Sequence, residues 1–146
     1  MGNTLCFILY KSCLSKRSNW KDSCGTEIMK KILIIDDEID ILCVTKLILT
    51  NHRFDVEILS TWEKIPETIQ SYQPDLILLD VSFSGADGRD ICNELKRSIE
   101  TEKIPIVLFS AHCDLINDLR GCQPNGVLSK PFETSDLINT IQNNLN

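Results

Sequence analysis

The sequence predicts an α/β domain: a five-stranded parallel sheet, doubly wound, with helices on both faces. Three observations predict it. Five short runs, apolar along their length and rich in Ile, Leu and Val, recur from Lys31 onward. Stretches with apolar residues at helical spacing separate them. Strands that are apolar throughout need cover on both faces, which parallel strands joined by crossover helices provide.

The first strand is Ile32-Leu33-Ile34-Ile35, too short for a buried helix and largely β-branched. Residues 39–50 follow as a helix, with Ile41, Val44 and Ile48 at helical spacing. Phe54 to Leu59 form a second strand. Residues 62–72 read as a helix, weakened because Pro66 cannot sit deep inside one. After Pro74 comes a third strand, Asp75-Leu76-Ile77-Leu78-Leu79, then a loop with Gly85 and Gly88. Ile91, Leu95 and Ile99 mark a third helix. Pro105 to Phe109 form a fourth strand, residues 112–120 a short helix, and Gly126-Val127-Leu128-Ser129 a fifth strand. Leu137, Ile138, Ile141 and Leu145 line a last helix, capped by Thr134 or Ser135. Right-handed crossovers leave only a few doubly wound strand orders.

Composition bounds the function. The chain has 146 residues, enough for one domain, and 42% are apolar, enough for a core. The net charge of −6 argues against a general nucleic-acid binder. No apolar run approaches the roughly 18 residues that span a bilayer. Charge is uneven: residues 1–28 hold four basic and two acidic residues, the remainder 11 and 19. Met29-Lys30-Lys31 before a strand looks like a second start. Residues 1–28 are therefore expected to be a loose extension or a misassigned start, and 29–146 the domain. Leu5 to Tyr10 is short for a signal-peptide core, and Cys6 stands where myristoylation favours Ser or Thr. None of the seven cysteines sits in a C-x-x-C pair. They read as reduced thiols of a cytosolic protein, with Cys43 and Cys92 as small core fillers.

In open α/β sheets the ligand site lies beyond the carboxyl ends of the strands. Strand one ends in Asp36-Asp37-Glu38, strand three in Asp80, strand four in Ser110 and strand five in Lys130-Pro131. The order 2-1-3-4-5 would set strands one and three side by side, so that Asp36, Asp37 and Asp80 converge. Asp36-Asp37 alone would also fit a loop or helix cap. Three gathered carboxylates repel one another, and without a cation at least one should take up a proton. Mg²⁺ suits such a site, because it accepts carboxylates, waters and phosphate oxygens. A carboxylate can act as nucleophile toward phosphorus, and phosphoryl transfer needs mainly positioning and charge neutralisation. Lys130 and Ser110 could supply a cation and a hydrogen bond. Neither His52 nor His112 is placed as a general base.

Five segments carry a family resemblance. They are Lys31 to Glu38, Pro74 to Asp80, Gly85-Ala86-Asp87-Gly88, Phe109-Ser110-Ala111 and Ser129-Lys130-Pro131-Phe132. Together the set resembles the receiver domain of bacterial two-component response regulators, over roughly residues 29–146. The resemblance implies a flavodoxin-like receiver fold with strand order 2-1-3-4-5. It implies Asp80 as phosphoacceptor and Asp37, Asp80 and the Ser82 backbone carbonyl as direct Mg²⁺ ligands, with Asp36 acting through water. Ser110 would be the switch hydroxyl, Ala111 the small residue that leaves the phosphoryl group accessible, and Lys130 the phosphate partner, joined to Pro131 by a cis peptide bond. The expected protein is a cytoplasmic, single-domain switch and not a turnover enzyme. Its partners would be a sensor histidine kinase or histidine phosphotransfer protein and a downstream protein, with neither nucleic acid nor membrane. Val127 departs from the family, which usually has an aromatic residue three positions before the lysine. The alternative is a receiver-fold module that binds a partner without being phosphorylated; it predicts a damaged acidic site.

Overall fold

The computed structural model describes residues 28–112, 114 and 117–145. The expectation for residues 1–28 lies almost wholly outside them. The strands are β1 (Lys31–Ile35), β2 (Asp55–Leu59), β3 (Leu76–Asp80), β4 (Ser82–Phe83), β5 (Ala86–Asp87), β6 (Ile106–Ser110) and β7 (Gly126–Ser129). Four helices are defined among the described residues: α1 (Ile39–Asn51), α2 (Ile65–Tyr72), α3 (Gly88–Arg97) and α4 (Thr134–Asn144). Five strands form one sheet in the order β2-β1-β3-β6-β7, every neighbouring pair parallel. In the sequence numbering of the five main strands this is the 2-1-3-4-5 order.

The alternation of side chains across a strand builds two cores. Ile32 and Ile34 of β1, Leu76 and Leu78 of β3 and Val107 and Phe109 of β6 pack with α1 and α4 on one face. Leu33 and Ile35, Ile77 and Leu79, and Ile106 and Leu108 pack with α2 and α3 on the other. Both sets are fully buried, which is why the strands carry no polar alternation. Each such side chain contributes about 1.5–3 kcal/mol of hydrophobic stabilisation. At the amino edge of the sheet, Asp75 accepts hydrogen bonds from the Lys31 backbone N–H at 2.7 Å and from Lys30 Nζ at 3.1 Å. The end of α4 returns to this same edge, where Asn144 stands against Gly126.

Several local expectations shift. The buried stripe of α1 is Leu42, Thr45 and Leu49, whereas Val44 is 57% exposed and Ile41 and Ile48 only flank the core. That helix is apolar on nearly every side, so spacing does not fix its phase. Helix α2 begins at Ile65, not residue 62, because Pro66 sits in its first turn, where its missing N–H costs nothing. Helix α3 ends at Arg97 and leaves Ile99 86% exposed outside it. Asp114 and Asn117 are helical, but residues 118–125 are not, so the helix expected over 112–120 is shorter. Neither Thr134 nor Ser135 caps α4; Glu133 is its N-cap residue, and its side chain makes no capping bond. The loop holding Gly85 is a small antiparallel hairpin, Ser82 against Asp87 and Phe83 against Ala86. Gly85 turns it at φ +89°. Cys92 and Cys122 are joined in a disulfide, not reduced; thirty residues apart and outside any short motif, they offer no sequence signal of pairing.

Candidate phosphoacceptor site

Parallel strands deliver their carboxyl ends to one edge, and there the polar residues collect. Asp36 follows β1 and is fully buried; Asp80 closes β3 and is 3% exposed. With the half-buried Asp37 they bring carboxylate oxygens within 4.8 Å of one another. The register that pairs Ile35 with Leu79 places the two acidic strand ends side by side. Lys130, just past β7, reaches across. Its Nζ donates to Asp36 Oδ2 at 2.7 Å and Asp80 Oδ1 at 2.8 Å, and it lies 4.3 Å from the centroid of the Phe109 ring.

Backbone N–H groups fix the remaining oxygens. Ser82 N donates to Asp80 Oδ2 at 2.6 Å, Glu38 N to Asp36 Oδ1 at 2.8 Å and Ser84 N to Asp37 Oδ2 at 2.9 Å. Burial pushes the Asp80 carboxyl above the usual carboxylate range, opposed by the hydrogen bond and charge of Lys130. Burial lowers the Lys130 ammonium, but its hydrogen bonds to Asp36 and Asp80 outweigh this and hold it above the ordinary lysine value. With all four groups ionised, three carboxylates face one ammonium, which leaves two negative charges uncompensated. An all-oxygen donor set with that surplus fits a hard divalent cation.

Ser110 is buried at the end of β6, one residue beyond the partner of Asp80. Its Oγ accepts from His112 N at 3.1 Å, and its carbonyl accepts from Lys130 N at 2.8 Å. Ser110 and Lys130 are thus tied through the backbone. Ala111 beside it is exposed, and the Lys130–Pro131 bond is cis. Both described histidines are exposed. Val127 is 45% exposed on the edge strand.

Sequence reasoning missed three supports. Gly88 opens α3 against the Asp80 main chain, where a Cβ would collide with the Asp80 carbonyl oxygen. Arg89, 3% exposed, grips Asp87 through Nε at 2.9 Å and Nη2 at 2.6 Å, and donates from Nη1 to the Asp118 carbonyl at 2.7 Å. The Phe109 ring lies beneath Lys130. The Gly85–Gly88 segment was the one signal for the first two, because Asp87 caps α3 by accepting from Arg89 N at 2.9 Å.

Comparison with known proteins agrees with this arrangement. A family model described as the response regulator receiver domain matches residues 32–142. The structure is similar to that of a protein from Chloroflexus aurantiacus described as a response regulator, with 26% identity and a TM-score of 0.73 over 79% of this chain and 96% of that one. It is similar to the chemotaxis response regulator CheY4 of Vibrio cholerae at 23% identity and a TM-score of 0.73, covering 80% and 99%. It is also similar to the response regulator TrrA of Thermotoga maritima, solved in complex with Mg²⁺ and BeF, at 24% identity and a TM-score of 0.74, covering 80% and 100%. The chain belongs to the response regulator receiver family, whose members are signalling switches in two-component systems.

Proposed function

We propose that this protein is the phosphoacceptor of a two-component system or phosphorelay, taking a phosphoryl group from a phosphohistidine onto Asp80. The observation that carries the reading is the cluster of buried Asp36 and Asp80, paired with Lys130, and half-buried Asp37 beside them. Such a site is intact, which disfavours a module that binds without phosphorylation.

Ser82 N–H holds Asp80 Oδ2 and Lys130 Nζ holds Oδ1; Oδ1 attacks phosphorus as the flexible lysine side chain gives it up. As the new P–O bond forms, the P–N bond to the donor histidine breaks and its electron pair leaves with the imidazole nitrogen. Lys130, now on Oδ1, transfers its hydrogen bond to a phosphoryl oxygen. Ser110 Oγ donates to another, and Ala111 keeps the approach open. Asp36, Asp37, Asp80 and the Ser82 carbonyl would hold Mg²⁺, which supplies charge neutralisation for the phosphoryl oxygens. The partners on this reading are a sensor histidine kinase or a histidine phosphotransfer protein, and a downstream protein. Among the described residues no helix is long and apolar enough to cross a membrane.

Incubation with acetyl phosphate and Mg²⁺, followed by intact-mass measurement, tests the reading. One phosphoryl increment is expected, lost in EDTA and lost in Asp80→Asn. An undiminished increment in Asp80→Asn would overturn the assignment.

A further inference from the structure

The first two turns of α3 do more than cover the sheet. Arg89, Cys92 and Asn93 share one helical face, and each holds the segment that leads into β7. Arg89 Nη1 donates to the Asp118 carbonyl at 2.7 Å, and Asn93 Nδ2 to the Arg120 carbonyl at 3.3 Å. Cys92 Sγ is bonded to Cys122 Sγ, with the two Cα atoms 6.1 Å apart. Cys92 is fully buried and Cys122 is 3% exposed, within the core that also holds Ile91 and Leu95. At its other side α3 begins with Gly88 packed on the Asp80 main chain. One helix therefore touches both the phosphoacceptor strand and the segment lying between Ser110 and Lys130.

We propose that Cys92–Cys122 is a redox-modification site, a reducible clasp that sets how freely residues 118–122 leave α3. Its substrates are thiols of the low-molecular-weight or dithiol class. A reductant thiolate attacks Sγ of Cys122, the more accessible of the two; the S–S bond breaks and the electron pair goes to Cys92 Sγ, which takes a proton. A second reductant thiol resolves the mixed disulfide. In all, two electrons and two protons reach the protein, and the reductant leaves as its disulfide. Re-oxidation by a disulfide of the same class reverses the step. Because both sulfurs are buried, attack requires residues 118–122 to lift first, so the clasp resists reduction while the segment is docked. In a reducing compartment a disulfide is typically redox-sensing and not merely a staple. With the bond made, the segment is fixed covalently. With it broken, non-covalent contacts retain it: the hydrogen bonds of Arg89 and Asn93, the ion pair of Arg120 with Asp87 at 3.4 Å and the packing of Leu119.

The effect on signalling rests on the phosphoacceptor reading, but the clasp itself does not. The test uses the full chain oxidised with glutathione disulfide and reduced with dithiothreitol. A non-reducing peptide map should recover the Cys92–Cys122 pair. Amide hydrogen exchange over residues 118–125 should be roughly tenfold or more faster in the reduced protein, while β1 and β3 stay protected. The Cys122→Ser variant should behave as reduced under both conditions. Beryllofluoride should then alter exchange over 118–125 more in the reduced protein than in the oxidised one. Equal exchange in the two states, or Cys122 paired with another cysteine, would overturn the proposal. Acetyl phosphate loading is measured on the same samples: failure to load with the exchange difference intact refutes the phosphoacceptor and leaves the clasp standing.

Discussion

Gly88→Ala and Gly85→Ala separate steric from conformational demands on neighbouring glycines. Gly88 has ordinary backbone dihedrals, but an added Cβ would collide with the Asp80 carbonyl oxygen and stand 2.9 Å from both Asp80 C and Val81 Cα. All three are backbone atoms at the carboxyl end of β3, so no side chain can swing aside. Overpacking of this kind costs about 1–3 kcal/mol, and the rigid neighbour puts this site at the upper end. For a domain of this size that lowers Tm by roughly 8–15 °C. Relief must come from parting α3 and β3, which moves Asp80 away from Lys130 and Ser82. The acetyl phosphate rate should therefore fall along with stability. Gly85 has open space around its Cβ position but sits at φ +89°. Alanine there costs about 1–2 kcal/mol of backbone strain without a steric push on β3; since Ser82 and Ser84 of this hairpin hold Asp80 and Asp37, phosphorylation should fall, but less than in Gly88→Ala. Thermal denaturation and intact-mass time courses of both variants give the comparison. A Gly88→Ala protein that melts within two or three degrees of wild type (about the shift from half a kcal/mol) and phosphorylates at an unchanged rate would refute the reasoning.

Lys130→Met leaves Asp36 and Asp80 buried without their ammonium, a change of about 3–5 kcal/mol. Mg²⁺ should restore more stability to this variant than to wild type, read as the gain in Tm on titration. Asp87 is held below the ordinary carboxylate value, chiefly by its hydrogen bond from the Arg89 side chain. A depressed folded-state pKa contributes stability above the unfolded value that is lost as pH falls through the folded one. Hydrogen exchange at the start of α3 should therefore quicken below about pH 4, and Asp87→Asn should remove that acid dependence. A chain beginning at Met29 should melt within a few degrees of the full chain, since β1 is pinned from Lys31 onward; loss of solubility would show that residues 1–28 contribute to the domain.

The sheet was legible because a strand covered on both faces cannot hide its pattern: Ile32 to Ile35 and Leu76 to Leu79 are apolar without a break. The site was legible for a related reason. A carboxylate directly after such a run stands at the buried edge of a parallel sheet, so Asp36, Asp80 and Lys130 announce themselves by position. Other features depend on contacts distant in sequence. Val44 and Leu42 are equally apolar, and only the packing of α1 on β1 and β2 chooses between them. Ile99 continues the spacing of Ile91 and Leu95, yet the chain has already left the helix at Ser98. The hairpin between Ser82 and Asp87 is too short to show strand alternation. Cys122 meets Cys92 only after the crossover from β6 to β7 has folded back.

The parallel sheet has a further consequence for attachment. Chain enters β1 and leaves α4 beside Gly126, so both ends of the described fold emerge at the edge opposite the acidic cluster. A label or second domain joined directly at Ile28 or Leu145, the ends of the described fold, would start from the far pole of the domain. On the proposed function, a donor approaching Asp80 would come from the opposite pole. Immobilising a chain cut back to Met29 through either end should thus leave the acidic cluster exposed to solution.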